Sequence, residues 1–175
     1  MLQRLFRPRP ARDKGRALYA SAVAQSRAPA LYGEYGVPDT VEGRFEAYSL
    51  HVILLLDRLQ GEGPVAAETS QAVFDTFVKS LDDALREMGV GDLSVGKKMR
   101  RLGEAFFGRV KNYQAAFASL PDHGDLEAVI ARTVYADGDA AHAPALARYA
   151  VRQREALAAQ PIERLLAADV AWSAP

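Results

Sequence analysis

The sequence has no cysteine among its 175 residues. This absence excludes disulfide bonds, thiol nucleophiles and thiolate metal sites, and it suits a reducing compartment. The 22 basic and 22 acidic residues leave no formal net charge, so attraction to a charged partner has to come from a local patch. Long apolar runs are also missing. The longest, Val52–Leu56, ends at Asp57 and is far shorter than the roughly 20 residues that span a bilayer.

Signatures of catalysis and of metal binding are missing as well. The chain has no glycine-rich phosphate loop, no Gly-x-Ser-x-Gly elbow and no His-Glu-x-x-His zinc pattern. Its three histidines, His51, His123 and His142, are far apart and not at ligand spacing. We expect His51 to be structural, at the edge of an apolar helix stripe near Arg44 and Arg58. The sequence therefore predicts neither an enzyme nor a bound cofactor or metal.

Apolar residues recur at helical spacing, and no stretch shows the alternation that is typical of strands. The pattern predicts one all-α domain of about six to seven helices, with a loop over residues 28–38. Asp39 and Glu42 form a capping-box pattern for the second helix. The last two helices are rich in alanine, so we expect them to pack less tightly. The helices are predicted over residues 13–27, from Asp39, from Pro64, from Asp92 or Ser94, over 125–135, over 144–159, and briefly after Pro161.

Residues 1–12 are predicted to be a basic, flexible arm before a helical domain over residues 13–175. The arm interleaves arginines with large apolar side chains, namely Arg4, Arg7 and Arg9 with Leu2, Leu5 and Phe6. Three roles stay open for it: a solvated arm, a weak anchor at a membrane surface, and the remnant of a mitochondrial targeting sequence.

The segment over residues 81–111 carries the densest signal. Gly96, Gly103 and Gly108 fall inside a predicted helix, where each glycine costs up to about 1 kcal/mol relative to alanine. Gly96 and Gly103 are seven residues apart and share a face, so we expect another helix to approach closely there. Gly89, Gly91 and Asp92 form the preceding loop and are expected to set the angle between two helices.

A helical wheel of the same segment separates an apolar stripe from a basic face. Phe106 lies on the stripe and the adjacent Phe107 lies off it, among cations. An exposed aromatic side chain among cations is a plausible anchor for a protein partner, although a solvated basic face remains the alternative. The predicted contact residues are Lys97, Lys98, Arg100, Arg101, Phe107, Arg109 and Lys111.

Part of this segment resembles the ubiquinol–cytochrome c chaperone family, which includes Cbp3-type assembly factors. The resemblance rests on the run Leu-Arg-Glu-Met-Gly-Val-Gly-Asp-Leu-Ser-Val-Gly-Lys-Lys-Met over residues 85–99. It is supported by Ala105–Arg109, Gly36–Thr40 and Gly43–Phe45, so that it covers roughly residues 17–117. The short chain without a long targeting sequence is expected to be a bacterial member.

The resemblance implies a helical chaperone that binds newly made cytochrome b, or bc1 intermediates, while the bc1 complex is assembled. It also implies a place in the bacterial cytoplasm at the inner membrane, with possible contact to the ribosome. Two other classes stay open. The same cations could bind a ribosome or RNA surface, with DNA not expected. An enzyme or haem carrier would need a polar pocket or an axial ligand that the sequence does not offer.

The membrane-anchor role of the arm makes a testable prediction. Removal of the first ten residues should weaken sedimentation of the protein with anionic vesicles, because each arginine near such a surface is worth about 1 kcal/mol. The melting temperature should stay the same, because the arm lies outside the apolar stripes. Unchanged sedimentation would exclude the membrane anchor and leave the solvated arm and the targeting remnant.

Overall fold

The computed structural model describes residues 10–136 and 138–175, which form eight α-helices and no β-strand. Six of these helices have ten or more residues, and a 3-10 turn lies at Ala140–His142. The all-α fold class is thus confirmed. The helices are α1 (Pro10–Ser26), α2 (Pro29–Gly33), α3 (Val41–Leu59), α4 (Pro64–Glu87), α5 (Asp92–Ala118), α6 (Gly124–Thr133), α7 (Ala143–Ala158) and α8 (Ile162–Leu166).

Two predicted boundaries at the N-terminal side were wrong. Helix α1 begins at Pro10, so residues 10–12 belong to the helix and not to the arm; residues 1–9 lie outside the described residues. The predicted loop over residues 28–38 contains the short helix α2, which starts at Pro29. Proline favours the first helical position because its fixed φ angle is already helical and its missing N–H is not needed there.

Helix α3 is the centre of the fold, because α1, α4, α5 and α7 all pack against it. Every residue from Leu50 to Leu55 is buried, so this stretch has no solvent-facing side. A helix that is apolar all round is stable only inside a protein. Each buried leucine or isoleucine here contributes about 1.5–3 kcal/mol relative to an exposed one.

The start of α3 is capped by Thr40 and not by Asp39. The Thr40 hydroxyl accepts a hydrogen bond of 3.1 Å from the Gly43 N–H, whereas Asp39 forms an ion pair of 2.7 Å with Arg44. A Cβ atom on residue 43 would lie 2.0 Å from the Pro38 carbonyl oxygen. The preceding loop therefore crosses α3 at a point that only glycine accommodates.

The close approach between helices inside this chain occurs at Gly15. A Cβ atom on Gly15 would lie 2.5 Å from the Ala72 Cβ and 2.7 Å from the Ala72 carbonyl carbon. Helices α1 and α4 therefore touch through their backbones at this position. Glycine in α1 and alanine in α4 permit this contact because neither carries a bulky side chain.

The alanine-rich helix α7 packs more tightly than expected. Its residues Leu146, Ala147, Tyr149, Ala150 and Leu157 are almost completely buried. Small alanine side chains allow neighbouring helices to pack closely, and α7 packs against α3 and α6. The expectation of loose packing in this part of the chain was wrong.

Glutamine side chains hold the segment after α8. The Gln153 amide bonds both the N–H and the carbonyl of Ser173, each at 2.9 Å, and Gln160 does the same for Ala171 at 2.7 and 2.8 Å. The indole of Trp172 donates to the Ser21 hydroxyl at 3.0 Å. These bonds satisfy backbone groups that have no helix or sheet partner.

His51 lies fully buried between α3, α7 and Trp172. Its Nδ1 lies 2.7 Å from the Ala47 carbonyl, which only accepts, so Nδ1 carries the proton. Its Nε2 then accepts from the Tyr149 hydroxyl at 2.7 Å. Burial lowers the pKa of His51 to about 4. The structural role predicted for His51 is supported, but its partners are Ala47 and Tyr149 rather than Arg44 and Arg58.

The lowered pKa of His51 predicts how stability depends on pH. The unfolded chain binds a proton at this histidine below about pH 6.5, whereas the folded chain does so only near pH 4. The free energy of unfolding should therefore fall as pH drops from about 6.5, by up to about 1.4 kcal/mol per pH unit. Above about pH 6.5, His51 should no longer make the free energy of unfolding depend on pH.

Urea denaturation of the wild type and of His51→Gln, from about pH 7.5 to about pH 4.5, isolates this contribution as a difference in slope. The carboxylates titrate alike in both proteins, so their contribution to the slope cancels in the difference. Equal slopes in the two proteins would show that His51 is not held neutral.

Candidate functional site

The turn between α4 and α5 depends on Gly89. Its φ angle is +79°, a left-handed conformation that favours glycine. The Gly89 N–H bonds the Arg86 carbonyl at 2.9 Å, and the Val90 N–H bonds the Leu85 carbonyl at 3.1 Å. This pair of bonds is the Schellman arrangement at a helix end. Gly89 therefore fixes the exit of α4, whereas its predicted role in setting the angle between α4 and α5 stays a prediction.

Asp92 also contributes to this turn, because it is the first residue of α5 and pairs with Arg86 at the end of α4. Gly91, by contrast, has an ordinary φ of −64° and open space where a Cβ would lie, so nothing in the turn requires glycine there. Neither Asp92 nor Ser94 caps α5. The cap position is Gly91, without a side-chain hydrogen bond.

The inner face of α5 carries the predicted apolar stripe. Val95, Phe106, Tyr113 and Phe117 are buried. The ring of Phe106 lies 4.6 Å from that of Phe77 and 5.8 Å from that of Phe74, which joins α5 to α4 through aromatic contacts. The core assignment of Phe106 is confirmed.

The outer face of α5 carries five exposed cations, Lys97, Lys98, Arg100, Arg101 and Lys111. Within the described ranges, no carboxylate lies within 4.0 Å of any of them. These residues are called the basic face below. Their charges are available to a partner, because no ion pair inside the described chain competes for them.

Arg109 does not belong to this face, contrary to the prediction. Two of its guanidinium nitrogens bond the carboxylate of Glu46, and its side chain is only 21% exposed while that of Glu46 is 6% exposed. The guanidinium also lies 5.5 Å from the centre of the Phe45 ring. A buried carboxylate needs such a partner, and removal of one member of a buried pair costs about 3–5 kcal/mol. Arg109 therefore links α5 to α3.

Phe107 is 59% exposed, whereas Phe106 is 1% exposed. The Phe107 ring packs against Phe74 with 5.4 Å between ring centres. It borders an open groove of about 440 Å³, called the Phe107 groove below. The groove has an apolar floor of Leu56, Leu59, Phe74, Phe106 and Val110, and its rim includes the amides of Gln60, Gln71 and Gln114.

Within the part of the chain that the structure describes, Gly96 and Gly103 do not mediate a close approach of helices. Outside the backbone of α5 itself, no described atom lies within 4 Å of where a Cβ would stand on Gly96, Gly103 or Gly108. These glycines lie outside the buried stripe, whereas the contacts of α5 with α3, α4 and α6 use that stripe. The predicted close approach of another helix is therefore not made by any described helix of this chain.

Sequence inspection missed the groove and the exposed apolar residues at the turn. The sequence pattern gives ordinary core positions for Leu56, Leu59 and Phe74. The groove above them forms only where α3, α4 and α5 meet. Leu93 is fully exposed and Met88 is 55% exposed. The helical wheel places Leu93 opposite the stripe, so that signal was present in the sequence.

None of the helices in the described part of the chain combines the length and apolar composition needed to cross a membrane. No match was found among curated proteins. Among solved structures, the chain is similar to the crystal structure of the Cbp3 homolog from Brucella abortus. The two are 35% identical with a TM-score of 0.87, and the match covers 99% of this chain and 97% of the other.

The family model described as Ubiquinol-cytochrome C chaperone matches residues 33–172. This range includes the loop before α3, the Schellman turn, the basic face and the Phe107 groove. It also reaches the helices after Tyr135, which the sequence resemblance did not cover. The chain therefore belongs to the ubiquinol–cytochrome c chaperone family.

Proposed function

We propose that this protein is an assembly chaperone that binds newly made cytochrome b and assists formation of the bc1 complex without catalysing a reaction. Family membership supports the chaperone class. The observation that carries the client surface is the position of a half-exposed phenylalanine, Phe107, beside an apolar groove and among free cations.

The Phe107 groove suits an apolar side chain of a client. Its floor is aromatic and aliphatic, so burial of a partner residue there removes apolar surface from water on both sides. The rim amides can bond a client backbone, and Gln114 already donates to Gln60 at 2.9 Å. Phe107 provides a large, rigid anchor of the kind that dominates binding energy at interfaces.

The basic face suits acidic loops of the same client. Exposed charges far from a partner steer association and select orientation more than they add affinity. Lys97, Lys98, Arg100 and Arg101 lie on the turns of α5 before Phe107, and Lys111 lies one turn after it. Acidic client residues on either side of an apolar anchor would therefore meet positive charge.

The proposed setting is the bacterial cytoplasm, with the protein associated peripherally with the inner membrane, where cytochrome b is inserted. Contact with the translating ribosome is part of the same proposal, because a client that is newly made is still close to it. No cofactor is needed for this role. His51 would not serve as an axial haem ligand, because both of its ring nitrogens are engaged.

A second candidate is a protein that binds a ribosomal RNA surface through the basic face. The observation that favours it is the set of five exposed cations that form no ion pair with any described carboxylate. Binding to phosphates releases counterions, so affinity for RNA should fall steeply on a log–log plot against salt. A client held mainly by apolar contacts should keep most of its affinity at moderate salt.

The two adjacent phenylalanines of α5 separate packing from binding. Phe106→Ala should lower the free energy of unfolding by about 3–5 kcal/mol, because it empties a filled core position. Phe107→Ala should cost much less stability but should reduce capture of cytochrome b from solubilised membranes. Urea denaturation and pull-down with the tagged chain measure the two effects. Equal losses of stability would identify Phe107 as a core residue and not an anchor.

Reversal of charge tests the basic face. Lys97→Glu with Arg101→Glu should change the melting temperature by only a few degrees, because exposed charges contribute on the order of 0–1 kcal/mol per pair. The same change should abolish capture of cytochrome b and lower the amount of assembled bc1 complex on native gels, because repulsion replaces attraction.

A matched control is Arg132→Glu with Arg148→Glu. It makes the same change of charge at two exposed positions on α6 and α7 and should leave capture and assembly intact. Normal bc1 assembly with the reversed basic face would exclude this surface as the client site. Loss of assembly in both double variants would point to net charge rather than to α5.

A further inference from the structure

The turn between α4 and α5 carries apolar side chains that no described residue covers. Leu93 is fully exposed, Met88 is 55% exposed, and Val90 between them is partly exposed. The Schellman bonds of Gly89 and the ion pair of Asp92 with Arg86 hold this turn in shape. We refer to residues 88–93 as the hairpin tip. Its apolar side chains contribute little to the core and are placed at the end of two long helices.

We propose that the hairpin tip inserts into the interface of an anionic membrane, with Leu93 and Met88 among the acyl chains and Lys97 and Lys98 among the headgroups. This inference rests on the proposed function only for its setting, a chaperone that works where a membrane protein is inserted. The lipid contact shares Lys97 and Lys98 with the basic face but is separate from the Phe107 groove, which lies farther along α5.

The spacing along α5 fits a bilayer interface. With a rise of 1.5 Å per residue, Lys97 and Lys98 lie about 6–8 Å behind Leu93, and Arg100 and Arg101 about 10–12 Å behind it. The headgroup layer is roughly 5–8 Å thick on each side of the hydrocarbon. When Leu93 reaches the acyl boundary, the two lysines therefore stand at headgroup depth, and the long side chains of both arginines can reach back toward it.

The balance of charge favours an anionic surface over a second copy of this chain. Residues 79–101 contain six cations and four carboxylates. Three of the carboxylates, those of Asp82, Asp83 and Asp92, form ion pairs with Lys79 or Arg86, and Glu87 is exposed beside Met88. Two copies that met through their tips would bring the lysine and arginine clusters together, whereas anionic lipid neutralises them.

Vesicle sedimentation of the full chain tests this proposal. The protein should bind vesicles of phosphatidylcholine mixed with phosphatidylglycerol, and the variant Met88→Ser with Leu93→Ser should bind at least about tenfold more weakly, since burial of a single leucine is worth roughly that factor. Lys97→Gln with Lys98→Gln should lower binding by roughly 30-fold, because each lysine near an anionic surface contributes about fivefold. Vesicles of phosphatidylcholine alone carry no net charge, so both the wild type and the Lys97→Gln, Lys98→Gln variant should bind to them weakly.

Val65→Ser is the matched control. Val65 is 58% exposed but lies at the opposite end of α4, so its replacement removes similar exposed apolar surface far from the tip. This variant should bind anionic vesicles like the wild type. Thermal melting should place all of the variants close to the wild type, because none of the replaced side chains is buried.

Insertion depth gives a second measurement. The fluorescence of Leu93→Trp should be quenched by brominated acyl chains in the same vesicles, and that of Val65→Trp should not be. Unchanged vesicle binding of the Met88→Ser, Leu93→Ser variant, or no quenching at Leu93→Trp, would overturn the proposal. The proposal would also be overturned if the Met88→Ser, Leu93→Ser variant still bound vesicles but no longer captured detergent-solubilised cytochrome b. The tip would then be a contact with a protein and not with lipid. The effect of Phe107→Ala on capture of cytochrome b bears on the proposed function alone.

Discussion

The burial of α3 on every side over residues 50–55 is the constraint on which the rest of the molecule depends. Polar side chains on a buried helix need hydrogen-bond partners, and α3 carries Glu46, His51 and Asp57. Their partners are distant in sequence: Arg109 of α5 pairs with Glu46, Tyr149 of α7 bonds His51, and Arg154 of α7 pairs with Asp57 at 2.8 Å. The exception on this helix is Ser49, whose buried hydroxyl has no hydrogen-bond partner among the described residues. These polar links fix the register of the surrounding helices on a core that apolar packing alone specifies less sharply.

Helix α5 packs against the core with only one of its sides. Phe106 and Arg109 face the core, where one fills volume and the other neutralises a buried carboxylate. The opposite side makes no packing contact with another described helix at Gly96 or Gly103, where space for a Cβ is open. A rigid helix whose inner face is fixed by packing can present an outer face with little loss of conformational entropy on binding, which favours affinity.

The features that could be predicted from the sequence are those that repeat along the chain. The stripe of α5 and the different exposure of Phe106 and Phe107 follow from helical periodicity, and Gly89 follows from helix-end chemistry. The wrong predictions concern single residues whose partner is distant in sequence. Arg109 reads as one more cation until Glu46, 63 residues away, is seen beside it. Likewise, glycines inside a helix suggest a close contact, but only the tertiary arrangement shows that Gly15 has one and Gly103 does not.

The bonds that Gln153 and Gln160 make to the last segment have a consequence for the order in which the protein is made. Trp172 covers His51 with 5.4 Å between ring centres and bonds Ser21 of α1. Trp172 lies 151 residues after Ser21 in the sequence, so this cover over His51 cannot form until residues 171–173 have been made. During synthesis, the polar centre of α3 is therefore completed later than the helices that surround it.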